Sequence, residues 1–349
     1  MACSSKNPEV AQSAASSIQY AGEKPRAFNN IGESCWINAA IQALLSPMAF
    51  KAALAKLWAQ TPVNTRVGLT QAASNGADAL ENFSHQLRLA ATMCVTHRHP
   101  RTAPLTPHLF TKAFYQFRQD DAGECITRVL HPKQAPVLQD LVSGDMEQQL
   151  TCTFAGCQAT RPSRGEKDFA SLQLPLCTPC GTQTFRSVQA ALDAYMPSEI
   201  VSLSEDRCQI CIAAERPAAA TDNFLKSHAV VRFPKVLVVS LNRWVGHSLQ
   251  DALLHQVEAT QYIHFQTCRY RLCAVVCHLG LSPHAGHYVT VARHATAQGE
   301  WWFYDDSSCV PASAEQITTL CTHGHWGELQ SYILLYELSD AADPTAPVP

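Results

Sequence analysis

Hydrophobic and polar positions divide the chain into a helical first part and a strand-rich second part. Between residues 25 and 130, apolar side chains recur at helical spacing, at 35–45, 51–58, 77–93 and 119–130. From about residue 148 onward, short apolar runs and alternating stretches predict strands instead. These strands lie at 172–174, 236–241, 272–276, 288–291, 302–304 and 332–336. Helices followed by strands predict an α+β fold with an antiparallel sheet in the C-terminal half.

The first predicted helix begins at a cysteine. Apolar residues at positions 37, 41, 44 and 45 share one helical face. Gly32 permits a sharp turn just upstream, and Asn30 and Ser34 are residue types that cap helices. A thiol in the first helical turn faces the positive end of the helix dipole, which favours the thiolate form. Cys35 is therefore a candidate nucleophile, although most free cysteines are small buried hydrophobes.

The helix predicted over 119–130 has a strongly polar start. Its first turns contain Gln119, Asp120, Asp121 and Glu124. Carboxylates there suit the positive end of the helix dipole, so charge complementation alone accounts for them. The apolar face of this helix predicts that it packs against the core. That face consists of Ala122, Cys125, Ile126, Val129 and Leu130.

Composition limits the classes of function that fit the chain. With 349 residues it can form one large domain or two ordinary ones, and with 46% hydrophobic residues it can bury a large core. A net charge of −3 offers no electrostatic case for binding nucleic acid or an anionic membrane. No apolar run reaches the length of a membrane span, and the start lacks the apolar stretch of a secretory signal.

The count of 15 cysteines is high for a chain of this length. An odd number without a secretory signal argues against a disulfide scaffold and for a reducing, intracellular compartment, cytoplasmic or nuclear. In such a compartment, we expect the cysteines to be nucleophiles, metal ligands or core residues. The Ser-, Ala- and Gln-rich segment 1–24 and the tail 339–349 are expected to be disordered.

Three close cysteine pairs lie in the strand-rich part of the chain. They are Cys152/Cys157, Cys177/Cys180 and Cys208/Cys211. A tetrahedral zinc site needs four soft ligands, and two short chelating turns supply them. The first and third pairs fit a long two-stranded excursion closed at its tip, whereas the second pair could replace either of them or serve a second site. Reduced pairs without a metal are the alternative, and the wide C-x4-C spacing of the first pair counts toward it.

A thiol nucleophile needs a base, a group that orients the base and donors for the oxyanion. His287 differs from the other histidines because it follows Gly286 and opens an apolar alternating strand. The aromatic strand near 302–304 ends in Asp305 and Asp306. Adjacent antiparallel strands would bring Asp305 beside His287 and fix its tautomer. A core or solvated histidine, and a plain turn at the two carboxylates, are the simpler alternatives.

Six stretches with distinctive residues follow one another along the chain. They read NNIGESCWIN at 29–38, QDDAGE at 119–124, FPKVLVVSLNRW at 233–244, GHYV at 286–289, WFYDDS at 302–307 and YILLY at 332–336. Together they resemble the motifs of the ubiquitin-specific proteases, a family of papain-like cysteine proteases. The resemblance covers about residues 25 to 338.

The resemblance implies a papain-like architecture with a helical thumb, a palm built on an antiparallel sheet, and zinc-bearing fingers. The thumb would span about 25–147, the fingers about 148–228 and the palm about 229–338. These parts would form one catalytic domain between the N-terminal arm at 1–24 and the tail at 339–349.

The same resemblance implies a role for each candidate residue. Cys35 would be the nucleophile, His287 the base and Asp305 its orienting group. Asn30 would donate to the oxyanion together with the Cys35 backbone, and Asp306 would support this donor. The implied metal ligands are Cys152, Cys157, Cys208 and Cys211, which would hold a structural Zn²⁺.

Binding roles also follow from the resemblance. Gln119, Asp121 and Glu124 would line the channel for the extended C-terminal tail of ubiquitin, whose arginines suit carboxylates. Gly286 and Tyr288 would narrow this channel so that only glycine passes. The implied partners are ubiquitin or ubiquitinated proteins, with no nucleic acid and no membrane, and we expect a monomer.

Several positions depart from the family pattern without removing a member of the implied catalytic set. They include Glu33, Ser34, Trp36, Ala39, Gly123, Cys125 and Trp244. We therefore expect an active deubiquitinase. Two alternatives stay open: a protease for a ubiquitin-like modifier such as SUMO or NEDD8, since a tryptophan after the nucleophile also occurs in a relative that acts on SUMO, and an inactive ubiquitin-binding scaffold.

Overall fold

The computed structural model describes residues 27–60, 119–130, 136–178, 180–203, 206–217, 222–244, 253–294 and 300–339. Its helices are α1 (Cys35–Leu44), α2 (Met48–Gln60), α3 (Ala122–Val129), α4 (Pro136–Val142), α5 (Val188–Tyr195), α6 (Gln209–Ala213) and α7 (Ala314–His323). The helix predicted at 77–93, the arm at 1–24 and all but the first residue of the tail lie outside the described ranges.

The strands fall into two sheets. They are β1 (Gly144–Cys152), β2 (Thr160–Phe169), β3 (Leu172–Pro175), β4 (Glu199–Ser202), β5 (Asn223–Arg232), β6 (Val236–Asn242), β7 (Tyr262–Phe265), β8 (Cys268–Ser282), β9 (Ala285–Arg293), β10 (Trp301–Asp305), β11 (Ser308–Pro311), β12 (His325–Trp326) and β13 (Leu329–Leu338). Each of the six stretches predicted as strands lies within one of these elements. The predicted order, helices first and strands later, is confirmed.

The large sheet has the strand order β11-β10-β9-β8-β13-β6-β3, with β7 beside β8 and β12 beside β13. Its ladders are antiparallel, as expected, except that β3 runs parallel to β6. The exception arises because the chain does not return through a hairpin. It leaves β3, makes an excursion of about 60 residues and re-enters beside it, which is the kind of crossover that parallel strands require.

Both faces of the large sheet are covered. Val236 and Val238 pack with the helices α1 to α4, whereas Leu237, Val239 and Leu241 pack on the opposite face with α5 and α7. Burial on two faces explains why β6 is a continuous apolar run instead of an alternating one. The remaining sheet, ordered β2-β1-β5-β4, has a small core of its own around Leu150, Phe224 and nearby cysteines.

α1 is enclosed by the fold on all sides. Every one of its residues is buried, not only the predicted apolar face. The helix packs against α3 and against β8, β9 and β10, and the Thr290 hydroxyl donates to the Ala39 carbonyl over 2.7 Å. Within the described residues, no single helix is long and apolar enough to cross a membrane; α1 and Met48–Leu54 meet that test only jointly, across a bend of 91°.

α3 begins later than the sequence predicts. Its first helical residue is Ala122, and Asp121 is the N-cap, with an extended backbone and a carboxylate that accepts from the Gly123 amide over 2.7 Å. Gln119 and Asp120 therefore precede the helix. Their displacement follows from the capping preference of aspartate, whose side chain replaces the missing backbone partner at a helix start.

Candidate active site

The loop before Cys35 is held by its own hydrogen bonds. The Ser34 amide and hydroxyl donate to Asn30 Oδ1 over 3.0 and 3.2 Å, and the Ile31 amide donates to Ser34 Oγ over 2.9 Å. Ser34 occupies the N-cap position of α1, but its side chain makes no capping bond to the helix. Gly32 adopts a φ of 70° that completes the turn. The polar groups of this loop thus orient the Asn30 amide.

Cys35 lies on a helix, whereas His287 lies on a strand of the large sheet. Cys35 opens α1 and is 4% exposed, and His287 lies near the start of β9. The His287 Nε2–H donates to Asp305 Oδ1 over 2.7 Å, so Nδ1 is the ring nitrogen left for the sulfur. The hydrogen bond to Cys35 is the largest influence on the pKa of His287, which rises to about 9; burial opposes the rise and the Asp305 bond adds to it.

Asp306 accepts hydrogen bonds both from the segment before α1 and from α1 itself. Its Oδ2 accepts from Asn30 Nδ2 over 2.8 Å, its Oδ1 accepts from Asn38 Nδ2 over 2.7 Å, and its carbonyl accepts from the Phe28 amide over 3.0 Å. Asn30 Nδ2 carries two hydrogens, and the bond to Asp306 uses one of them, so the other is left to donate. The backbone of Asp306 adopts a φ of 46°, which aspartate tolerates better than most residues.

The ligand-type atoms of His287, Asp305 and Asp306 lie within 4.8 Å of one another, which is close enough to hold a metal ion. Their hydrogen bonds argue for another use. Both Asp306 carboxylate oxygens accept from amides, and Asp305 Oδ1 accepts from His287. These hydrogen bonds fix the orientation of both carboxylates and of the imidazole, so the group forms an orienting network.

A cleft of about 360 Å³ opens between α3 and the end of β6. Its lining combines carboxylates with aromatic rings: Asp121, Gly123, Glu124, Thr127, Gln173, Ser240, Leu241, Asn242, Arg243, Trp244, Pro283 and Tyr332. Trp244 and Tyr332 meet edge to face, with ring centroids 4.8 Å apart. The sequence marked Trp244 only as a departure from a motif, and Tyr332 only as part of a strand.

The three residues of this region that are expected to line the tail channel have different surroundings. Asp121 accepts from the Tyr332 hydroxyl over 2.8 and 3.0 Å, and burial raises its pKa. Glu124 is half-exposed and forms an ion pair with Arg128. The Gln119 backbone amide donates to Glu33 Oε2 over 2.8 Å. Two of the three therefore line the cleft, and Gln119 connects α3 to the Cys35 loop.

Gly286 and Tyr288 belong to the β8–β9 hairpin, whose Pro283 lines the cleft, and they have different surroundings. Gly286 has a φ of +133°, and a Cβ there would lie 1.9 Å from the Leu279 carbonyl oxygen, so only glycine fits. Tyr288 is 1% exposed and donates to the Pro283 carbonyl over 2.8 Å, so it supports the β8–β9 hairpin from below and does not line an open channel. His284 in the same hairpin bonds through Nδ1 to Asp120 Oδ1 over 3.0 Å.

His278 is a buried residue of β8 close to Gly286. It is 2% exposed, its ring is 4.3 Å from that of Tyr288 and 5.4 Å from that of Trp244, and burial lowers its pKa to about 4. A Cβ on Gly286 would also lie 2.9 Å from His278 Nε2. Sequence analysis did not single out this residue, because nothing local distinguishes it from the other histidines.

Four of the six paired cysteines form one cluster. The sulfurs of Cys152, Cys157, Cys208 and Cys211 all lie within 4.8 Å of one another, an arrangement that could hold a metal ion. Cys152–Cys211 and Cys157–Cys208 are each separated by 3.6 Å. A tetrahedron with metal–sulfur bonds of about 2.3 Å has edges of about 3.8 Å, whereas a disulfide needs about 2.0 Å.

Hydrogen-bond donors support this cluster. The Phe154 amide bonds to the Cys152 sulfur and the Cys211 amide bonds to the Cys208 sulfur. Amides directed at sulfur suit thiolate ligands, so the donor set fits a metal. Cys177 and Cys180 are not part of the cluster; they lie in a turn after β3, where the Cys180 sulfur is 3.0 Å from the Thr182 hydroxyl.

Comparison with known proteins identifies the family. The family model described as ubiquitin carboxyl-terminal hydrolase matches residues 26–336. The chain belongs to this family. The match confirms the resemblance carried by the six sequence motifs, and it extends from the loop before α1 into β13.

The individual relatives that this chain matches are distant. Ubiquitin carboxyl-terminal hydrolase 17-like protein A of Mus musculus is 26% identical over 316 residues, covering 83% of this chain and 54% of that protein. Ubl carboxyl-terminal hydrolase 18 of Homo sapiens is 24% identical over 357 residues, covering 90% of this chain and 87% of that protein. The chain spans about a third to a half of the length of the first curated relatives.

A solved structure has the same fold. The SAGA Ubp8/Sgf11/Sus1/Sgf73 DUB module bound to ubiquitin aldehyde aligns with a TM-score of 0.62 and 18% identity, covering 94% of this chain and 73% of that chain. The mixed α/β fold, with helices on both faces of a large sheet and a four-cysteine cluster that could bind a metal, fits the papain-like domain of this family.

Proposed function

We propose that this protein is a thiol-dependent deubiquitinase that cleaves the peptide or isopeptide bond after the C-terminal glycine of ubiquitin. The observation that carries the proposal is the hydrogen-bonded line from Cys35 through His287 to Asp305, with the Asn30 amide oriented beside it by Asp306. Family membership supports the same chemistry.

In this proposal, His287 takes the proton of the Cys35 thiol and the resulting thiolate attacks the carbonyl carbon after the terminal glycine. The Cys35 backbone N–H and the Asn30 Nδ2–H stabilise the oxyanion. His287 then protonates the leaving lysine amine, and an acyl-enzyme thioester forms. In the second half, His287 removes a proton from water, the hydroxide attacks the thioester and the Cys35 thiol leaves.

The cleft beside α3 is the proposed path of the ubiquitin tail. Asp121 and Glu124 would attract its arginines, the Trp244 and Tyr332 rings would contact its apolar side chain, and the tight hairpin at Gly286 would admit only glycine. We further propose the division into thumb, fingers and palm expected from the sequence, and a structural Zn²⁺ held by the four-cysteine cluster.

Covalent labelling tests the catalytic proposal. Ubiquitin that carries a C-terminal electrophile should form one adduct with the wild-type protein, at Cys35, and none with Cys35→Ala. The matched control is Cys125→Ala, because Cys125 is a fully buried thiol of neighbouring α3. Folded wild-type protein that binds ubiquitin but gives neither an adduct nor turnover would be an inactive scaffold, and the proposal would be rejected.

A ubiquitin-like modifier is the second candidate substrate. The observation that favours it is the match to the human Ubl carboxyl-terminal hydrolase 18, which covers most of both chains, whereas the other first matches cover 60% of the relative or less. Parallel turnover of fluorogenic ubiquitin, SUMO and NEDD8 conjugates separates the candidates. Cleavage of a ubiquitin-like conjugate with no cleavage of ubiquitin would assign the second function.

Elemental analysis tests the metal. We expect about one zinc per chain in purified protein, and a loss of one zinc in the double variant Cys208→Ser/Cys211→Ser. The corresponding control is Cys177→Ser/Cys180→Ser, because that pair lies outside the cluster. Stable protein that contains no zinc and keeps its activity would rule the metal out.

A further inference from the structure

Arg216 is not one of the four cysteines of the cluster, but its side chain contacts one of their sulfurs. Its Nη1 donates to the Cys211 sulfur over 3.4 Å. Its guanidinium also lies 4.2 Å from the centre of the Phe154 ring, which belongs to the turn that carries the first cysteine pair. One side chain therefore touches both halves of the proposed metal site.

The backbone holds Arg216 in this position. α6 ends at Ala213, the next residues turn through Glu215 at a φ of 52°, and the Arg216 amide donates back to the Cys211 carbonyl over 3.1 Å. A non-glycine residue at positive φ costs about 1 kcal/mol or more, so the surrounding contacts of this turn must offset that cost. Arg216 is half-buried although the residues on both sides of it are exposed.

Charge explains why a cation belongs there. Four thiolates around one Zn²⁺ carry a net charge of −2, and this cluster lies in an apolar core with Leu150, Phe224 and Phe154 around it. An uncompensated charge in such a place is costly. Two neighbouring arginines are already paired, Arg161 with Asp206 and Arg207 with Asp222. Arg216 brings a positive charge directly to a cluster sulfur, that of Cys211.

We propose that Arg216 is a positioning residue of the zinc site, whose guanidinium donates to the Cys211 thiolate, offsets part of the cluster's negative charge and, through its contact with Phe154, closes the two cysteine turns on each other. This inference rests on the proposed zinc site but not on the catalytic proposal. Hydrogen-bonded partners of metal ligands hold those ligands in position, so the loss of one such partner weakens retention of the metal.

Zinc transfer to a colorimetric chelator measures this role directly. Relative to wild type, Arg216→Gln should release zinc about tenfold faster or bind it about tenfold more weakly, which is the lower end of the effect of removing a partner of a metal ligand. Arg161→Gln is the matched control, because Arg161 stacks on Phe224 of the same core, 5.1 Å from the ring centre, and pairs with Asp206. It should release zinc at the wild-type rate.

Cobalt substitution separates positioning from general destabilisation. Loss of a hydrogen bond to one thiolate should shift the sulfur-to-cobalt charge-transfer band of Arg216→Gln, whereas Arg161→Gln should keep the wild-type spectrum. Arg216→Lys should recover part of the zinc retention, since it keeps the charge but not the planar stack on Phe154.

Two results would overturn the inference, and they are distinguishable. If wild-type protein holds zinc and Arg216→Gln releases it at the wild-type rate with an unchanged cobalt spectrum, Arg216 has no role at the metal. If wild-type protein holds no zinc or cobalt at all, the zinc proposal itself fails and the inference fails with it.

Discussion

Replacing Asp306 with asparagine is the sharpest test of how the oxyanion donor is held. The substitution keeps the size of the side chain and tolerates the φ of 46° at this position. However, an amide has one acceptor oxygen, whereas the Asp306 carboxylate accepts from both Asn30 and Asn38. One of the two hydrogen bonds must be lost.

Burial decides which bond survives. Asn38 is 3% exposed and would be left with an unsatisfied amide hydrogen, whereas Asn30 is exposed and can bond to water. An unsatisfied buried donor costs about 1–3 kcal/mol. The asparagine oxygen should therefore turn to Asn38, and its NH₂ group should face Asn30 Nδ2. Asn30 then loses its anchor and faces another donor.

The loss in kcat should not exceed the loss caused by removing the Asn30 donor altogether. Removing one oxyanion donor costs about 10²–10³ in kcat, or about 2.7–4 kcal/mol. Asn30→Ala should show that full loss. Asp306→Asn should lose about 10- to 100-fold in kcat with little change in KM, because the Asn30 side chain is displaced and not absent. The assay is steady-state hydrolysis of the fluorogenic conjugate that the protein cleaves best.

A double-mutant cycle shows whether Asp306 acts through Asn30. If it does, Asn30→Ala/Asp306→Asn should be no slower than Asn30→Ala alone. Asn38→Ala is the matched control, since it removes the other partner of the same carboxylate and should reduce stability while leaving most of kcat. Multiplicative losses in the double variant would show that Asp306 contributes independently, and the reasoning would be refuted.

Three further outcomes follow from the same geometry. Because the pKa of His287 is raised to about 9, its imidazolium persists up to that pH and is lost above it, so kcat/KM should fall on the alkaline side near pH 9; a midpoint near 6.5 would contradict the Cys35 contact. Gly286→Ala should reduce labelling by the ubiquitin electrophile at least tenfold while iodoacetamide still alkylates Cys35, and Gly181→Ala, another positive-φ glycine but with open space around it, should label normally. Tyr332→Phe removes the hydroxyl that bonds both Asp121 oxygens and should lower the free energy of unfolding by about 1–2 kcal/mol in chemical denaturation; an unchanged value would mean that water replaces the hydroxyl without loss.

Local patterns in the sequence predicted much of the fold. The start of α1 at Cys35 and the strand positions from 172 to 336 follow from periodicity and turn residues, which act over a few positions. The parallel pairing of β3 with β6 could not be read this way. It depends on where the chain re-enters the sheet after a long excursion, and no local pattern encodes that.

The candidate site divides along the same line. Cys35, His287 and Asp305 were selected from local context and a family resemblance, and the structure brings their side chains together. The bond between Asn30 and Asp306 joins positions 276 residues apart, so only the resemblance suggested it. His278 and Arg216 carry no local signal at all, because their significance comes from burial and from neighbours that meet them only in the folded chain.

The separate core of the four-stranded sheet has a consequence for how the molecule opens. The large sheet shares two cores with most of the helices, whereas β2-β1-β5-β4 contributes only Met146, Phe169 and Val230 to them and otherwise packs on a small cluster around the cysteines. Backbone amides of β4 are thus protected by few apolar contacts, and they should exchange with solvent through local opening while those of β8 and β13 await unfolding of the whole domain. The sheet that carries the proposed zinc site is therefore also the part of the molecule that should open most readily.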